Sequence, residues 1–147
     1  MMLSSTTQPN EINLEGYQVV RSQYFSRATE PTMTLWNSAV GFSANTHEAL
    51  NNCECIHIMV NEKDKCIIIK PVNSKEQDAI NWNKTKNKSA RIECSAFTKQ
   101  LYEAWGWDNT CRFRACGMLV QSDKKIMMLF NFQHPESWRG TKMVDGR

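Results

Sequence analysis

The residues with the clearest chemical potential lie on an alternating stretch, Cys111-Arg112-Phe113-Arg114-Ala115-Cys116. On an extended strand Arg112 and Arg114 share one face, and Phe113 and Ala115 share the other. Arg91 opens the same part of the chain. Lys84, Lys86 and Lys88 precede it, and Lys124 and Lys125 follow the strand at a charged turn. Residues 84–99 hold five Lys/Arg and one acid. Several cations on one surface are what phosphate binding requires, because each neutralised phosphate releases counterions. Arginine adds a planar fork of donors. The candidate nucleic-acid contacts are therefore Arg91, Arg112, Arg114, Lys84, Lys86, Lys88, Lys124 and Lys125. The competing reading is a solvated, lysine-bearing sheet face. Trp82, Trp105 and Trp107 flank the region and would stack on bases if exposed. The helical spacing of Trp105 from Leu101 points instead to the core.

Other constellations are weaker. Cys53, Cys55 and His57 alternate on one face of a strand, but structural zinc sites usually space paired cysteines by two to four residues. Buried small hydrophobes are the better reading of these thiols. The three histidines, His47, His57 and His134, have no nearby partner pattern for a nucleophile–base pair. Gly106 and Gly117 are isolated, so there is no phosphate-cradling glycine loop. No catalytic residue, metal ligand or cofactor is predicted.

The elements that must hold these residues begin with a repeat. Phe42-Ser43-Ala44-Asn45-Thr46 recurs as Cys94-Ser95-Ala96-Phe97-Thr98, 52 positions later. Ser43 and Ser95 read as helix caps, opening helices over 44–50 and 96–105, with Gly106 ending the second. Strands are predicted over 32–36, 39–42, 53–60, 66–70, 89–94, 110–121 and 124–133, with Pro71 stopping the fourth. A helical turn is expected around Lys75 to Trp82. The expected fold is α+β. It is mostly antiparallel, with two tandem strand-helix-strand-strand repeats in one compact pseudo-symmetric domain. Repeat one covers about 32–71, a linker 72–88 and repeat two about 89–133. The whole domain spans 17–134, between a mobile segment 1–16 and a polar tail 135–147.

Bulk composition suits one such domain. The chain has 147 residues, 41% of them hydrophobic, with five Trp and six Phe to build a core. Residues 1–60 carry two arginines against five glutamates, a net −3. Residues 61–147 carry sixteen Lys/Arg against ten Asp/Glu, a net +6. The basic half can attract an anionic partner. The N-terminus is polar and no run approaches a membrane span, so a cytoplasmic protein with six reduced thiols and no membrane partner is expected.

Val40 to Leu50 followed by Cys53 to Pro71, and Ile92 to Trp105 followed by Cys111 to Phe132, resemble the tandem swapped-hairpin pattern of AbrB/MraZ-type bacterial DNA-binding proteins. Ala44 and Ala96 stand where that family usually has proline. Near the first strand and helix of the first copy, where the family tends to carry arginines, His47 is the only near-basic group, and the second helix is longer than the family norm. Ser22 to Arg27 and Thr34 to Asn37 are also similar to small proteins of bacterial integrative elements. These resemblances imply a small DNA-binding or regulatory protein acting by stoichiometric binding, with a possible homodimer because hairpin edges would be exposed. Two other functions fit the residues. One is a protein–protein adaptor of a mobile element. The other is a single-stranded nucleic-acid binder, as in Whirly and Pur proteins.

Overall fold

The computed structural model describes residues 9–20, 30–83 and 91–145. Lys84, Lys86 and Lys88 lie outside them. Among the described residues ten strands form one antiparallel sheet, curled into a half-barrel. In chain order they are β1 (Thr32–Leu35), β2 (Ala39–Phe42), β3 (Cys55–Asn61), β4 (Cys66–Val72), β5 (Ile80–Asn81), β6 (Ile92–Glu93), β7 (Arg112–Ser122), β8 (Lys125–Asn131), β9 (Glu136–Arg139) and β10 (Lys142–Asp145). Helix α1 (Ala44–Ala49) follows β2, and α2 (Ser95–Trp105) follows β6. The sheet order is β5-β3-β4-β8-β7-β1-β2-β6. β9 pairs with the start of β7, and β10 with β9.

The register explains where the core sits. Ile67 pairs with Phe130, Ile69 with Met128, Gly117 with Phe130, Met33 with Ala115, and Leu35 with Phe113. Paired residues share a face, so these side chains all point into the curl. There they meet Leu101, Tyr102 and Trp105 of α2, together with Trp82. Phe113 and Ala115 fall on the core side as alternation requires, which leaves Arg112 and Arg114 outside.

The expected α+β architecture of two strand-helix-strand-strand units is not what forms. Among the described residues helix accounts for only 14% and strand for 42%, and the strands make one continuous sheet. The two helices that the repeated motif opens are unequal, six residues against eleven. The half-barrel instead buries its apolar face by curling, so Ile67 and Ile69 of the earlier part pair directly with the strand carrying Phe130 and Met128. A local motif fixes a helix start but carries no instruction about which strands close the core.

The motif's physical role lies in its threonines. Thr46 Oγ1 donates to the carbonyl of Thr32 at 3.1 Å, and Thr98 Oγ1 donates to the carbonyl of Asn37 at 2.9 Å. Each copy thus ties its helix to one end of the β1 region, and both threonines are fully buried. Ser43 does not cap α1 through its side chain, and its hydroxyl accepts from the Thr32 amide at 2.9 Å. The cap position of α2 is Cys94, with Ser95 its first helical residue. Gly106 ends α2 with a φ of +64°, a left-handed conformation that costs glycine little.

Several local expectations shift. The 75–82 region forms turns and the short β5 rather than a helical turn, and of the strand expected over 89–94 the described residues 91–94 form strand at Ile92–Glu93, positions 89 and 90 lying outside the described residues. Pro71 does not stop β4, because it lies beyond the last residue paired with β8 and only β3 flanks it there. The segment 135–147, expected as a tail, supplies the hairpin β9–β10.

Candidate nucleic-acid interface

The arginines are positioned by three parts of the chain that meet outside the half-barrel. The β1–β2 turn brings Trp36, Asn37 and Ser38. Arg91 leads into β6. The start of β7 and the β9–β10 hairpin bring Arg112, Trp138 and Gly140. Together with Asn109, Thr110 and Cys111 they line a cleft of about 330 Å³. No Asp or Glu is among these lining residues.

Each arginine is held over a tryptophan. The Arg91 guanidinium lies 4.3 Å from the centre of the Trp36 ring. Arg112 lies 5.1 Å from that of Trp138, its cross-strand partner. Such contacts hold the guanidinium in place while leaving its N–H groups free to donate. Arg112 also donates from Nη1 to the Gly140 carbonyl. Trp36 has its own seat on Gly41, where an added Cβ would come within 2.9 Å of the ring. Glycine at 41 therefore lets the indole lie against the sheet, with Arg91 over it.

The hairpin carrying Trp138 is pinned by a polar clasp. Arg139 donates from Nη2 to Asp108 Oδ2 at 3.0 Å, and Thr110 donates to Asp108 Oδ1 from its hydroxyl at 2.7 Å and its amide at 2.8 Å. The Thr110 hydrogen bonds, with Arg139 beside them, pull the Asp108 carboxyl down from 3.8 to about 2. Behind the cleft, the Tyr102 hydroxyl sits 2.9 Å from the Leu35 carbonyl and 2.6 Å from the Cys111 carbonyl. Burial pushes that phenol well above its ordinary value.

Arg114 does not join Arg91 and Arg112. It donates to Glu136 Oε1 at 2.6 Å, and Glu136 is only 2% exposed. A phosphate at Arg114 would have to compete with a buried carboxylate, so the predicted contact is corrected to a structural ion pair. Lys124 and Lys125 are exposed but sit at the far turn of β7. Ten residue steps at the strand rise put that turn roughly 33 Å from Arg112. They cannot serve the same small cleft.

Two residues of the cleft carry little sequence signal. Trp36 reads in sequence only as part of a strand, and Trp138 falls in the expected tail. The tryptophans expected to stack are elsewhere. Trp82 and Trp105 are buried, and Trp107 packs against the core. His47 is buried as well, stacked 3.9 Å from Trp82. The Trp82 indole donates to the Cys53 carbonyl at 2.6 Å, Cys55 is buried, and His57 Nε2 is 2.8 Å from the Gln77 carbonyl. Among the described residues no three His, Cys, Asp or Glu side chains gather to hold a metal. A second cleft, of about 440 Å³, opens where the curled sheet's edges approach. It is lined mainly by Val40, Ile58, Ile80, Ile92 and Phe97, and none of the described predicted cations, Arg91, Arg112, Arg114, Lys124 and Lys125, is among its lining residues.

No protein-family profile, curated protein or solved structure matches the chain. Among the described residues no helix is long and apolar enough to cross a membrane.

Proposed function

We propose that the chain binds nucleic acid stoichiometrically, taking a single-stranded segment at the Trp36–Arg91–Arg112–Trp138 cleft. The observation that carries this reading is the pair of guanidiniums held over indole rings around a recess whose described lining residues include no carboxylate. A fixed guanidinium edge matches a phosphate, and its open face can stack on a base. A duplex is the poorer fit. The broad cationic surface it would need is broken by the Arg114–Glu136 pair and by the distance to Lys124 and Lys125. The reading belongs with a cytoplasmic, non-enzymatic role, a setting in which the six thiols, none in a disulfide, stay reduced.

Titration of labelled single-stranded and duplex oligonucleotides at several salt concentrations tests it. Single strands should bind more tightly than duplex, and more weakly as salt rises. Arg91→Ala with Arg112→Ala should lower the slope of log affinity against log salt by about 1.4, at about 0.7 for each phosphate no longer neutralised. Wild-type affinity and slope in that double variant would refute the assignment.

A further inference from the structure

The outer face of the half-barrel bears on assembly. Met59 pairs with Ile68, Ile68 with Leu129, and Leu129 with Met118. These four side chains therefore stand in one row across β3, β4, β8 and β7, on the face turned away from the core. The outer members remain open, Met59 at 41% and Met118 at 59% exposure. Lys70 and Lys125 share that face. Over Cys55–Asn61, Cys66–Val72, Cys116–Ser122 and Lys125–Asn131, the outward positions include no Asp or Glu.

The complementary piece lies in the same chain. In Pro9–Val20 the large apolar side chains Ile12, Leu14, Tyr17, Val19 and Val20 are 59% to 97% exposed. The charged residues of this segment are Glu11 and Glu15, and it has no Lys or Arg. It is not featureless. The Tyr17 amide donates to the Leu14 carbonyl at 3.0 Å, and Gly16 adopts a φ of +89° that makes the turn favour glycine.

We propose that Pro9–Val20 of one copy docks across the Met59–Ile68–Leu129–Met118 row of a second copy, reciprocally. Both surfaces reach solvent within one chain, the segment along its length and the row at Met59 and Met118 with Ile68 and Leu129 half-buried between them, and exposed apolar surface of this kind marks interaction sites. Charge selects the pairing. Two rows packed face to face would oppose lysines to lysines, and two acidic segments would oppose glutamates to glutamates. Segment on row brings Glu11 and Glu15 to Lys70 and Lys125, and reciprocal exchange closes a two-fold dimer.

Sedimentation velocity of the full chain over a wide concentration range tests this. The expected result is a monomer–dimer equilibrium. Met118→Glu alone, and Leu14→Ser with Tyr17→Ser, should each weaken it about tenfold or more. These side chains are exposed, so far-UV circular dichroism should match wild type. The decisive step mixes the two variants, since one keeps an intact row and the other an intact segment. Mixing should restore one of the two docking contacts and yield heterodimer. A monomer at every concentration, as packing of the segment on its own chain would produce, overturns the proposal. So does a dimer indifferent to both variants, or a mixture that forms no heterodimer, as row-on-row packing would give.

Discussion

Arg114→Ala should damage the fold and spare nucleic-acid binding, and Arg112→Ala should do the reverse. Glu136 is 2% exposed and accepts from Arg114 at 2.6 Å and from the Trp138 indole at 3.3 Å. Removing one partner of a buried pair typically costs about 3–5 kcal/mol, because a charge is left buried and uncompensated. Two features lower that figure here. Arg114 is itself 34% exposed, so water already screens the pair, and Trp138 still donates to the carboxylate. About 2–3 kcal/mol remains, or roughly 4–12 °C in Tm at about 2–4 °C per kcal/mol for a chain this long. Arg112 is half-buried, donates to one carbonyl and sits over Trp138, so its loss should cost about 1 kcal/mol or less. Urea unfolding measures both through the midpoint at unchanged m. Replacing both members of the pair, Arg114→Met with Glu136→Leu, should recover most of the missing stability, because no buried charge is stranded. If Arg114→Ala leaves the midpoint where wild type has it, or weakens oligonucleotide binding as much as Arg112→Ala does, the structural assignment of this arginine fails.

The Asp108 carboxyl, lowered from 3.8 to about 2, adds stability that is fully present above its unfolded value and lost as pH falls through about 2. An NMR titration should place its midpoint near 2, and Thr110→Val should raise that midpoint more than Arg139→Gln, since the Thr110 hydroxyl is the larger cause. Gly117→Ala should lower the urea midpoint by the equivalent of about 1–3 kcal/mol, the usual cost of overpacking. Its Cβ would come within 2.7 Å of Met128 Sδ and 2.8 Å of Phe130 Cε1, and both side chains are fully buried. A midpoint unchanged from wild type would mean that the sheet yields there.

Alternation over Cys111–Cys116 was sufficient to send Phe113 and Ala115 inward and the arginines outward, because successive strand residues must face opposite sides. Gly106 marked the end of α2 for an equally local reason, the left-handed backbone that glycine accepts. The repeated Ser-Ala pair marked two helix starts but not their lengths or what they pack on. Only tertiary structure decided the rest. Glu136 reaches Arg114 because β9 pairs with β7, and Trp36 meets Arg91 because β6 joins the edge of β2. Trp138 enters the site because the last residues described fold back as a hairpin. Facing is a property of one strand and is written in consecutive residues. Which charge is neutralised, and which stays open to a ligand, depends on pairings between residues distant in the chain, and no local pattern encodes them.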